Sequence, residues 1–328
     1  MKRLIAKLVV LFLVLSLSVG LVFAEDKIVL KFSGQSNIDH PENKAMLVMA
    51  DLVSLRTNGR IEIQIFPNGQ LGNDIETVED VIMGNLDLII NQFYDFFPPL
   101  SIAQMPYIWK SMDHVISFYE SPLGQEIKQN VLDKLGVRIL GVSKYGWRYT
   151  TTSNIAIETI EDMKGLKLRI PGDRGHKAWA EATGLKATPM SFSELYLALK
   201  QGVVDGQDNP LPTIDANKFS EVQKYLIETK HILAHNYLYM NEKSFQKLSK
   251  DDQEIILESA GVVVAYINAL VNEAERNLVK KLEDEGMTLI IPKIEPMMEA
   301  CAKIMGKYIE NEEERKIYEE IISLGENF

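Results

Sequence analysis

The chain has 328 residues, 46% apolar and 25% charged, which excludes a disordered, collagen-like or disulfide-framework protein and leaves room for two lobes. Lys and Arg number 35 against 46 Asp and Glu, a formal net charge of -11. A chain this acidic repels phosphate backbones and anionic lipid, so nucleic acid is not expected as a partner.

Lys2, Arg3 and Lys7 lead into an apolar run through Val22, and Val22-Phe23-Ala24 is a small-residue cleavage pattern just before Glu25-Asp26. This pattern predicts a secretory signal peptide over residues 1–24, cleaved after Ala24, and a mature protein outside the cytoplasm. The alternative is an uncleaved anchor, since Leu4 to Ala24 is nearly long enough to span a bilayer. No later segment approaches the roughly 20 apolar residues a span needs. The single cysteine, Cys301, cannot form an internal disulfide and lies too far from the cleavage site to carry a lipid.

From Lys27 onward the hydrophobic period switches between two and 3.6, the mark of an α/β arrangement with crossover connections. Lys27 to Ser33 is an expected strand. A helix follows from Pro41 to Leu55, and Arg60 to Phe66 alternates as a half-buried strand. A second helix is expected near Ile75 to Met83, closed by Gly84, before a short strand at Leu86 to Asn91. A comparable series follows Gly136: strands at Val137 to Val142 and Leu166 to Ile170, helices near Gly175 to Thr183 and Ser193 to Lys200, and a strand at Tyr237 to Met240. Asp251 to Glu285 keeps one apolar stripe from Ile256 to Leu282, which predicts either a helix about 50 Å long lying across both lobes or a pair broken at Gly261.

Short signals of chemistry are scarce. There is no Gly-x-Ser-x-Gly elbow, no phosphate loop and no Cys-x-x-Cys pair, so no catalytic residue and no cofactor is assigned. Pro171-Gly172-Asp173-Arg174-Gly175 opens a helix without the spacing of a dinucleotide fingerprint. His231 and His235 have a helical zinc-ligand spacing, but they run into a strand pattern, and ordinary packing competes with a metal role; no metal site is assigned. Arg169 lies on the face opposite Leu168 and Ile170 at the end of a strand, where α/β lobes bind ligands. Arg148 lies in the hydroxyl-rich segment from Gly146 to Asn154. Either guanidinium could present a planar fork to a carboxylate, and either could equally be a solvated strand residue or an ion-pair partner.

Three ordered stretches, Leu166-Lys167-Leu168-Arg169-Ile170-Pro171, Thr188-Pro189-Met190-Ser191-Phe192-Ser193-Glu194 and Val204-Asp205-Gly206-Gln207-Asp208-Asn209-Pro210, resemble the solute-binding proteins of tripartite ATP-independent periplasmic (TRAP) transporters, the DctP family. Asn68-Gly69-Gln70-Leu71-Gly72 and Glu161-Asp162-Met163-Lys164-Gly165 are similar too, and the likeness covers nearly the whole mature chain.

The resemblance implies an α/β, two-lobed periplasmic binding protein fold with crossing strands and a long helix spanning both lobes. Lobe I takes residues 25–146 plus about 235–275, and lobe II takes 147–234 plus about 276–328. It also implies a monomer that closes over a small organic acid and delivers it to the TRAP permease membrane subunits, with no catalysis. By that likeness Arg169 is the principal carboxylate-binding arginine, Arg148 assists it, Asn209 completes the carboxylate site and Phe192 packs on the ligand. Gln35 stands where the family's sialic-acid binders have an asparagine, and Gln92 where they have a glutamate. Gln35, Asn91 and Gln92, with Asp74 and His40 near them, suit a sugar acid such as a uronate or aldonate, a C4-dicarboxylate coming next. A secreted α/β enzyme and a sensor that presents its ligand to a kinase are the competing readings.

Overall fold

The computed structural model describes residues 27–92 and 96–328; the expected leader over residues 1–24 lies outside the described residues. In chain order the elements are β1 (Ile28–Ser33), α1 (Pro41–Arg56), β2 (Ile61–Phe66), α2 (Asp74–Met83), β3 (Leu88–Asn91), α3 (Met112–Glu120), α4 (Pro122–Leu135), β4 (Val137–Thr152), β5 (Lys167–Ile170), α5 (Arg174–Thr183), β6 (Lys186–Pro189), α6 (Phe192–Lys200), β7 (Gly206–Pro210), α7 (Leu211–Ala216), β8 (Tyr225–Ile227), β9 (Leu233–Asn241), α8 (Glu242–Gln246), α9 (Lys250–Asp284), β10 (Thr288–Ile290), α10 (Glu295–Ile304) and α11 (Glu312–Gly325).

The strands follow the order β2-β1-β3-β9-β4-β7-β5-β6, with β8 also on β4 and β10 on β8. β1 pairs in parallel with β2 and β3, and β5 with β6 and β7, while β4 and β9 run antiparallel to their neighbours. β3 and β9 are buried along their whole length because both faces are covered. Ile89, Tyr237 and Tyr239 enter one apolar cluster of lobe I, and Leu88, Ile90, Leu238 and Met240 enter the other.

Two elements run through both lobes. β4 pairs with β9 from Val137 to Trp147 and then with β7 from Arg148 to Thr152, so one strand leaves the first sheet and enters the second. The change of sheet falls beside a bulge between Lys144 and Gly146, where Gly146 has φ 126°, a backbone that favours glycine. The expected strand ended at Val142. It continues because Tyr149, Thr150, Thr151 and Thr152 are buried between β7 and β8, where β-branched and aromatic side chains pack well.

α9 is continuous over 35 residues, which removes the alternative of a break at Gly261. Ile256, Ala260, Val263, Ile267 and Val271 pack into lobe I, and Leu278, Val279 and Leu282 into lobe II. α11, grouped by the sequence with lobe II, packs its Ile317 and Ile321 with Val115 and Phe118 of α3 in lobe I. It also takes the lobe II side chain Arg174 through Glu314, at 2.6 Å.

Candidate functional site

The parallel strands of the two lobes end at a shared cavity of about 400 Å³. Gln35 and Ser36 follow β1, and Asn91 with Gln92 closes β3; from lobe II come Arg169 and Pro171 at the end of β5 and Met190, Ser191 and Phe192 after β6. This is where open α/β sheets bind small molecules.

Arg169 is fixed by its strand. Leu168 and Ile170 point into the core of lobe II, and the alternation turns Arg169 to the cavity side. Its Nε and Nη2 donate to the carbonyl of Met190 at 3.2 and 3.0 Å, and its Cζ lies 5.8 Å from the centre of the Phe192 ring. The residue is only 3% exposed, and among the described residues no carboxylate comes within ion-pair distance. Burial, then the charge of Arg148, pulls the guanidinium down to about 10, so it remains a cation at neutral pH.

Arg148 is equally buried and has the opposite surroundings. Its Nε meets Asp208 Oδ2 at 2.5 Å, while Nη2 donates to the Asp208 carbonyl at 2.6 Å and to Asn209 Oδ1 at 3.3 Å. Asp208 Oδ2 also meets His231 Nε2 at 3.1 Å and His176 Nε2 at 3.2 Å, and His176 Nδ1 lies 2.6 Å from Asp173 Oδ2. Burial alone would raise Asp208, but Arg148 and then His176 outweigh it and hold the carboxyl well below its ordinary range. Burial would likewise lower His176, and Asp173 with Asp208 reverses this, so the imidazole is raised. His231 is pushed down to about 4 by burial and stays neutral. Arg148 therefore reaches the cavity wall with its charge already compensated.

The remaining expected residues are held by their own neighbours. Asn209 donates to Gln207 Oε1 at 2.5 Å, which leaves its second amide hydrogen for the cavity. Phe192 opens α6 behind Ser191, whose side chain forms a capping box with Glu194. Gln35 donates to Gly72 O and Thr77 Oγ1, Asn91 to Asp74 O, and Gln92 to His235 O at 3.5 Å. Asp74, in the first turn of α2, is raised by burial against the opposing pull of Arg169 and Asn91.

All of these line the cavity, and His40 does not. His40 is fully buried as the N-cap of α1, accepting from Glu42 N at 3.3 Å, with Nε2 3.4 Å from Thr213 Oγ1. His231 and His235 share no helix: one precedes β9 and the other lies inside it, and both are committed to packing.

Glu42, Tyr145, Asp173 and Asn236 also line the cavity and are not among the site residues expected from the sequence. Asn236 carried a signal, standing with His235 as a polar pair at the head of the apolar run Tyr237 to Met240. Glu42 carried none, since an acidic residue after Pro41 reads as ordinary first-turn helix chemistry.

Two lobes joined by a crossing strand and a long helix, with a cavity between them that one buried, unpaired guanidinium faces, define a solute-binding protein of the periplasmic type. Residues 32–312 match the family of bacterial extracellular solute-binding proteins, family 7 (DctP), and the chain belongs to that family. It is 35% identical over 285 residues to the sialic acid-binding periplasmic protein SiaP of Vibrio cholerae, covering 86% of this chain and 88% of that one. Among solved structures it is similar to a TRAP periplasmic solute-binding protein of Roseobacter denitrificans with bound L-galactonate, at TM-score 0.84 and 29% identity over 90% of this chain and 99% of that one. A TRAP solute-binding protein of Haemophilus influenzae with bound L-gulonate matches at TM-score 0.84 and 27% identity, over 91% and 100% of the two chains.

Proposed function

We propose that this protein binds a hydroxylated monocarboxylic acid, an aldonate or a uronate, in the interlobe cavity and hands it chemically unchanged to the membrane subunits of a TRAP permease. It works as a periplasmic monomer after removal of residues 1–24. The observation that carries the reading is Arg169, a buried guanidinium that faces a cavity with two hydrogen bonds to one carbonyl and no anion in contact among the described residues. A ligand carboxylate supplies the missing charge in a bidentate geometry, and Asn209 and Arg148 lie on the same wall.

The rest of the cavity favours hydroxyls. Gln35, Asn91, Gln92 and Asn236 offer amides, and the only cations lining the cavity among the described residues are Arg148 and Arg169, both on lobe II. A dicarboxylate would bring its second charge to a wall holding Asp74 and Glu42. The sugar acids bound by the Roseobacter and Haemophilus relatives support the same class. Gln35 and Gln92 argue against the sialic acid bound by the Vibrio relative.

Calorimetric titration with aldonates, uronates, C4-dicarboxylates and sialic acid tests this. One molecule of sugar acid bound per chain and recovered unchanged after long incubation is the expected result; a reaction product, or binding of dicarboxylates alone, contradicts it.

A further inference from the structure

Glu42 is a second misfit in the cavity wall, opposite in kind to Arg169. It is 6% exposed, lines the cavity from the first turn of α1 on lobe I, and has no Lys or Arg within ion-pair distance among the described residues. Its Oε1 accepts from Asn236 Nδ2 at 2.6 Å. Its Oε2 lies 3.7 Å from His40 Nδ1, the nitrogen that already accepts from the Glu42 backbone and so offers a lone pair rather than a proton. A carboxylate placed there would be buried with one amide donor and no counter-charge, an arrangement that favours the neutral acid.

We infer that Glu42 is a specificity-determining residue whose carboxyl carries its proton and donates it in a hydrogen bond to a hydroxyl oxygen of the ligand, at the lobe I end of the cavity. This rests on the sugar-acid reading above and deepens it: the acid is held by its carboxylate on lobe II and read through a hydroxyl on lobe I. The titration of the group agrees with its geometry. Burial pushes Glu42 up to about 8, against the lowering effect of the Asn236 bond, and the nearby Asp74 raises it further. Ionisation above that pH removes the donor and adds a negative charge beside the bound anion, so affinity falls.

The groups around Glu42 are Asn236 of β9, Tyr145 of β4, Asp74 of α2 and His40 before α1, with the exposed Lys44 acting on His40 from the next turn. His40 is lowered to about 3 and Tyr145 raised to about 12, so neither titrates between pH 7 and 9. The Glu42→Gln variant separates Glu42 from Asp74, because Gln keeps a donor and cannot ionise.

The experiment is calorimetry at pH 7 and pH 9 with galactonate, gulonate and galacturonate, on the parent chain and on Glu42→Gln, Glu42→Met and Arg169→Lys. For the acid that binds best, the parent loses about tenfold in affinity between the two pH values, and Glu42→Gln stays near the parent's pH 7 affinity at both. Glu42→Met, which has no donor, is about tenfold weaker than the parent at pH 7. If Glu42→Met does not fold, the pH profiles of the parent and Glu42→Gln decide alone. Equal affinity of Glu42→Met and parent, a flat parent profile, or the same alkaline loss in Glu42→Gln overturns the inference. In each of those cases a weakened Arg169→Lys leaves the carboxylate reading standing. If none of the three acids binds, both readings fall.

Discussion

Two arginines of equal burial face one cavity, and their neighbours assign them different work. Arg148 is paired with Asp208, whereas Arg169 bonds only to a carbonyl and meets no carboxylate within ion-pair distance among the described residues. Removing the counter-charge at the first should therefore cost stability. Asp208→Asn leaves Arg148 and His176 in a buried site without their shared carboxylate, and a loss of about 3–5 kcal/mol is expected in denaturant unfolding. An unchanged midpoint would show that the pair is dispensable.

Glu42 acts on stability in the opposite pH direction from a salt-bridged acid. Its folded value, about 8, lies above the 4.5 of the free side chain, so the contribution is complete below about 4.5 and is lost as pH rises to 8. Each unit in that window costs about 1.4 kcal/mol. Thermal unfolding of the parent should fall relative to Glu42→Gln between pH 5 and 8, and parallel curves would contradict this. In the sequence, Arg169 was legible because strand alternation and the end of a strand are local facts. The fate of Arg148 was not, because Asp208 lies in β7, an element that contact with β4 alone brings near.

At the scale of elements, glycine tests the two connections between lobes. Gly261 lies inside α9 with open space where a Cβ would stand, so Gly261→Ala should stabilise by about 0.5–1 kcal/mol and leave ligand affinity unchanged. At Gly146 the φ of 126° is already strained for any side chain, and a Cβ there would come within 3.0 Å of Pro210 Cβ. Gly146→Ala should destabilise by more than the Gly261 gain. Equal shifts in both variants, read by thermal unfolding, would contradict the difference in backbone. The first βαβαβ run and α9 were readable from period and punctuation. The length of β4 was not, since a hydroxyl-rich stretch reads as a loop until two neighbouring strands bury it.

For the whole molecule, the proposed binding mode, with Arg169 of lobe II and the amides and Glu42 of lobe I on one ligand, would favour whichever arrangement lets both walls touch it. Small-angle scattering should show a smaller radius of gyration at saturating ligand than without it. Identical dimensions would mean that the two walls do not move together on binding.

The central claim is that the unneutralised guanidinium of Arg169 recognises a ligand carboxylate, and Arg169→Lys tests it most directly because the charge stays while the planar fork is lost. Titration of this variant with the best-bound sugar acid should show affinity reduced by roughly 10- to 100-fold, with the unfolding temperature of the unliganded protein little changed. Affinity equal to that of the parent, or a variant that no longer folds, would place Arg169 among the structural arginines and contradict the account.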